Sequence, residues 1–111
     1  MKDDAGVVQL WTISPEGGSP RQITSNRWSV ASAFTWSPDG RWIAHVMDNS
    51  VCVTDVHSGH TRRLTNRTAD AVAPRPEACV FSPDGSRIAF IRRLPSPRRP
   101  ANQICVLAVN T

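Results

Sequence analysis

FTWSPDGRWIAHV occupies Phe34–Val46, and 45 residues further on CVFSPDGSRIAFI occupies Cys79–Ile91. The two stretches align without a gap: Ser-Pro-Asp-Gly, a spacer, Ile-Ala, then a further apolar pair. Working outward, QLWTISPEGGSPRQIT (Gln9–Thr24) and SVCVTDVHSGHTRRLT (Ser50–Thr65) also match, with Trp11 opposite Cys52 and Thr24 opposite Thr65. The closing QICVLAVNT brings Cys105 to that same position. Self-similarity with a period of about 20–50 residues is the signature of solenoids, propellers and arrays.

Each segment of the unit reads as a short strand. AFTW, RWIAHV, SVCVTDV and TRRLT are rich in β-branched and aromatic residues and bounded by turn chemistry. The turn after the first strand is specified residue by residue. Pro38 and Pro83 fix φ, Asp39 and Asp84 bond the local backbone, and Gly40 and Gly85 supply a positive φ, with Ser37 and Ser82 opening the motif. A second hairpin is marked by PEGGSP and HSGH. Four meandering strands at this period describe a propeller blade. No stretch carries a helical 3.6-residue periodicity, so the expected fold is all-β, a partial propeller of antiparallel blades.

These residues carry a family resemblance. The unit resembles the WD40-like repeat of the TolB type on Trp36–Gly40 with Ile43-Ala44, Val51–Val53 and Gly59–Thr65, and again on Phe81–Gly85, Ile88–Phe90 and Gln103–Val106. DDAGVVQLWTISPEGGSPRQIT is more narrowly similar to the C-terminal blades of an uncharacterised family of bacterial TolB-like propeller proteins. The resemblance implies an open arc of about two and a quarter blades, where whole propellers have about four to eight. The expected division is the second half of a blade at 1–27, a complete blade at 28–70 and three strands of the next at 71–111, with an Arg/Pro-rich loop at 92–102. MKDDAG would fall at the tail of a second strand, which reads as a fragment with an unpaired edge near Val8–Ile13. Its uncovered outer faces, at residues such as Trp11 and Ile104, predict self-association, or pairing with missing blades.

The composition, 40% hydrophobic and 20% charged over 111 residues, fits one small globular domain. No apolar run approaches the ~18 residues of a membrane-spanning helix. The start MKDDAGVV lacks the basic and apolar regions of a signal peptide, which reads as cytoplasmic for the chain as written, with a periplasmic parent as the alternative. Three cysteines without C-x-x-C spacing indicate neither zinc nor a disulfide framework, and Cys52 and Cys105 read as small buried hydrophobes. The net charge is +4. Because Arg21, Arg41, Arg62, Arg63, Arg75 and Arg87 are scattered over turns and strand ends of different blades, no nucleic-acid footprint is expected. The one cluster, RRLPSPRRP (Arg92–Pro100), places Arg92, Arg93, Arg98 and Arg99 in an inserted loop that reads as solvated surface or as a partner-binding element of P-x-x-P type.

Ser37, Asp39, His45, Asp55, His57 and His60 supply the residue types of a hydrolytic triad, but the Ser and Asp recur at Ser82 and Asp84 as turn residues and no G-x-S-x-G elbow exists. His57-x-x-His60 lacks further ligands at zinc spacing. The sequence therefore points to a non-catalytic binding module without metal or cofactor, recognising a protein or small ligand. The alternative is a remnant of a propeller enzyme, either polyuronide lyase-like or the propeller of a prolyl-peptidase-like hydrolase.

Overall fold

The computed structural model describes residues 1–69, 73–94 and 101–109. Among these residues there are strands and turns and no helix. Strands β1 (Trp11–Ser14) and β2 (Gly17–Gln22) form a two-stranded sheet. β3 (Val30–Trp36), β4 (Trp42–Met47), β5 (Ser50–Asp55) and β6 (Thr61–Arg63) form a four-stranded sheet in that order, and β7 (Pro74–Phe81), β8 (Arg87–Leu94) and β9 (Ala101–Ala108) a three-stranded one. Every pairing is antiparallel between sequence neighbours, so each sheet is a meander and the array stays open. The repeat extends to its irregularities. The register slips between Val30 and Phe34 in the β3–β4 pair and between Pro74 and Cys79 in the β7–β8 pair.

The hairpin between β4 and β5 turns on Asp48 and Asn49, with φ of 49° and 55°. Two consecutive positive φ values define the I′ class, which matches strand twist, and Asp and Asn reach that region most readily among residues with a side chain.

The near-continuous apolar run of β4 and β5 follows from burial on both faces, as in strands covered on two sides. Ala44, Val46, Val51 and Val53 pack against Cys79, Phe81, Ile88 and Phe90 of the third sheet. Ile43, Met47 and Cys52 point the other way, toward Leu10 and Val30. Cys52 and Cys79 are buried, and desolvation pushes their thiols up to about 11 and about 12, so both are inert hydrophobes near neutral pH. Cys105 is half-buried against the same core.

Two expectations are corrected. The edge at Val8 is not bare: Lys2 bridges Val8 across a turn capped by Asp3, whose Oδ1 accepts from the amides of Ala5 and Val7 at 2.9 and 3.0 Å. Gln9 N–H also donates to Met1 O at 2.9 Å. Residues 92–94, read as loop, belong to β8, with Arg92, Arg93 and Leu94 paired to Gln103, Asn102 and Ala101. Ladder bonds are made by the backbone and are indifferent to the arginine side chains. Arg98 and Arg99 lie outside the described residues.

Candidate functional site

The two Ser-Pro-Asp-Gly turns are built alike. Ser37 Oγ donates to Asp39 Oδ1 at 2.5 Å and accepts from Trp42 N–H at 2.9 Å, while Asp39 Oδ1 also accepts from Arg41 N–H at 3.0 Å. In the next sheet Ser82 Oγ donates to Asp84 Oδ1 at 2.7 Å and accepts from Arg87 N–H at 3.0 Å, with Ser86 N–H on the same carboxylate oxygen at 3.0 Å. Gly40 and Gly85 close the turns at φ of 73° and 77°. The serine hydroxyl holds both carboxylates below the usual range, with the neighbouring amides adding to it. A hydroxyl that donates to a carboxylate and accepts from an amide is a turn brace, with no base arranged to activate it. Gly85 lies beside Pro38, so the turns adjoin and frame a cleft of about 180 Å³ lined by Ser37, Asp39, Trp42, Phe81 and Asp84.

Asp55, His57 and His60 form a separate turn. Asp55 Oδ1 accepts from the amides of His57 and Ser58 at 2.9 and 3.4 Å, which lowers its carboxyl, and both imidazoles are exposed. Among the described residues no group of three or more His, Cys, Asp or Glu is placed to hold a metal. Gly59 lies in the HSGH turn that marks the second hairpin in the sequence. In the folded chain it has φ +75°, and a Cβ there would stand 2.2 Å from Ile23 O of the preceding sheet.

His45 is removed from all of these. It is fully buried, on the face of β4 that looks toward the first sheet, at the position the next sheet fills with Phe90. Its Nε2 bonds Thr54 Oγ1 at 2.8 Å, Thr54 bonds Thr61 at 2.7 Å, and Asn26 Nδ2 donates to Thr61 Oγ1 at 3.2 Å. The seam continues through Gln9, whose Oε1 accepts from Thr24 Oγ1 at 2.7 Å and Asn26 N–H at 3.0 Å and whose Nε2 donates to Asp3 Oδ2 at 3.0 Å. Burial pushes the His45 imidazole down to about 4.

The arginines are less scattered than the sequence suggested. Arg63 Nη2 meets Asp48 Oδ2 at 2.7 Å and Arg67 Nε meets Asp48 Oδ1 at 3.1 Å. The guanidiniums of Arg63 and Arg27 lie 4.9 and 5.5 Å from the ring centroid of Trp28, a residue 41% exposed. The packing that gathers them was not visible in the sequence, where 36 positions separate Arg27 from Arg63.

The Ser-Pro-Asp-Gly meander matches known proteins along its length. The model of the "Dipeptidyl peptidase IV (DPP IV) N-terminal region" matches residues 29–96. The uncharacterized protein YidR of Escherichia coli (strain K12) is 46% identical over 91 residues, 82% of this chain and 21% of that protein. The Tol-Pal system protein TolB of Anaeromyxobacter sp. (strain K) is 35% identical over 92 residues, 77% of this chain and 19% of its own. A solved TolB structure from Agrobacterium tumefaciens superposes with a TM-score of 0.67 at 26% identity, covering 96% of this chain and 36% of that one. The chain thus spans about a fifth of the length of the curated relatives it matches. With paired turns, meandering antiparallel sheets and a family match over more than half its residues, the chain belongs to the propeller family of the dipeptidyl peptidase IV N-terminal region, with blades of the TolB-like type.

Proposed function

We propose that these blades act as a non-catalytic module that binds a protein partner. The observation that carries this reading is that the candidate nucleophile, its carboxylates and the buried histidine are each engaged in structure: Ser37 and Asp39 brace a turn, Asp55 caps another, and His45 is sealed in a seam between sheets. The likeness to TolB, a Tol-Pal system protein by name, supports a binding role. A second reading, the propeller of a prolyl-peptidase-like hydrolase, is favoured by the family match over 29–96. Assaying the purified chain and Ser37→Ala against a panel of dipeptidyl p-nitroanilides separates catalysis from binding. No turnover is expected from either protein, with Ser37→Ala less stable by about 1–2 kcal/mol through its lost hydrogen bonds. Turnover by the parent that vanishes in Ser37→Ala would refute the non-catalytic reading.

The same proposal includes association of the chain with itself. On one flank Phe34 and Trp36 are 57% and 46% exposed, and Met1, Trp11, Ile13 and Phe34 frame an open recess of about 280 Å³. On the other, Val80, Val106 and Ile104 leave an apolar sheet face 55%, 60% and 76% exposed. Unlike faces on opposite flanks favour a head-to-tail contact between copies. Light scattering on a size-exclusion column should give a mass above 12.2 kDa that falls on dilution. A monomer at all concentrations would remove this part of the proposal.

A further inference from the structure

Strand register sorts the charges of this chain between the two ends of its sheets. The Ser-Pro-Asp-Gly turns adjoin, so they share one rim. The β5–β6 turn lies at the same end of the second sheet, because Trp42, just after the first of these turns, pairs with Asp55. Asp39, Asp55 and Asp84 stand there against Arg41 and Arg87. Hydrogen bonds lower all three carboxyls, so they stay charged well into acid. The opposite rim begins at the Asp48-Asn49 turn, where Met47 pairs with both Val30 and Ser50. Arg63 and Arg67 pair there with the single carboxylate of Asp48, and Arg63 and Arg27 lie over Trp28. In the third sheet the same end holds the start of β7 and the close of β8, where Pro74 pairs with Arg92 and Arg93 follows.

The cluster is built as well as charged. Two guanidiniums lie over one half-exposed indole, Arg63 is further fixed by Ser50 Oγ at 2.7 Å, and Arg67 keeps 68% of its side chain in solvent. A guanidinium packed on an indole is pre-oriented and weakly hydrated, and its planar fork matches a carboxylate in bidentate fashion. A polyphosphate would instead need a continuous track of cations, and here Asp48 sits in the middle of the cluster with Asp3 and Asp4 on the corresponding turn of the first sheet.

The geometry points to the Arg27–Trp28–Arg63 platform as the recognition site for an acidic segment of a partner protein. It rests on the binding-module reading and names the chemistry of the partner. The acidic opposite rim repels such a segment and so fixes which end of the blades it meets.

The test uses the whole chain and a fluorescein-labelled octaglutamate peptide, with an uncharged Ser/Gly peptide and a 20-nucleotide single strand as comparators. Anisotropy should show saturable binding of octaglutamate that weakens with salt. Arg27→Gln and Trp28→Ala should each reduce the affinity about tenfold, while Arg41→Gln on the opposite rim leaves it unchanged. Thermal melts confirm that each variant is folded, and Arg27→Gln, whose side chain is exposed, guards against a folding defect in Trp28→Ala. No octaglutamate binding, or equal loss in Arg27→Gln and Arg41→Gln, overturns the platform. Tighter binding of the oligonucleotide with the same mutational pattern overturns the acidic-peptide assignment in favour of nucleic acid. Failure here without p-nitroanilide turnover removes the platform alone, whereas turnover removes the binding-module reading itself.

Discussion

Acidification from pH 6.5 to about 4 is expected to cost the folded chain about 3 kcal/mol at a single side chain, His45. Burial lowers its imidazole from 6.5 to about 4, and each tenfold step in proton affinity corresponds to 1.36 kcal/mol. Between those values the unfolded chain takes up a proton that the folded chain refuses. Stability therefore falls as pH falls through this window, and the loss levels off below it. The carboxyls of Asp3, Asp39, Asp55 and Asp84 are also lowered in the fold, but their contribution is lost only below the ordinary value of 3.8, so the windows are separate. Urea melts at half-unit pH steps measure the slope. His45→Phe, which installs the residue found at Phe90, and His45→Gln should both flatten it above pH 4.5. A parent protein with no slope in this range would show that the seam admits a charged imidazole.

Gly59→Ala is expected to destabilise by roughly 2–5 kcal/mol, summing the left-handed backbone cost for a residue with Cβ and the cost of overpacking. The methyl group would meet a carbonyl oxygen of the preceding sheet at 2.2 Å, and backbone cannot swing aside as a flexible side chain can. Gly40→Ala provides the comparison. Its φ is +73° but nothing lies within 4 Å of the new Cβ, so only the backbone term of about 1–2 kcal/mol applies. Equal losses in the two variants, measured by urea melts, would show that the sheets separate enough to admit the methyl group.

The contrast between these glycines marks what the sequence could express. The Ser-Pro-Asp-Gly turns were legible because the hydrogen bonds that shape them span at most five positions, as from Ser37 to Trp42 and from Ser82 to Arg87. The same holds for the meander, whose strands pair only with sequence neighbours. Gly59 acts through Ile23, 36 positions away, so its role depends on how one sheet lies on the next. The gathering of Arg27 with Arg63 depends on the same geometry. His45 did leave a signal: IAHV stands where the later copy has IAFI, a histidine in an aromatic core position. Its meaning required the hydroxyl groups of Thr54 and Thr61, which periodicity reads only as strand residues.

The second sheet is flanked by interfaces of different chemistry: toward the third sheet it is apolar, and toward the first an apolar cluster is joined by a hydrogen-bonded seam. Apolar contact weakens on cooling, whereas the hydrogen-bonded seam is sensitive to protons. Cooling therefore weakens the apolar part of both flanks, whereas acid acts on the first-sheet flank, through the seam that joins His45 to Thr54, Thr61 and Asn26. One blade is thereby held by two fastenings, and the one toward the first sheet carries a proton-sensitive group.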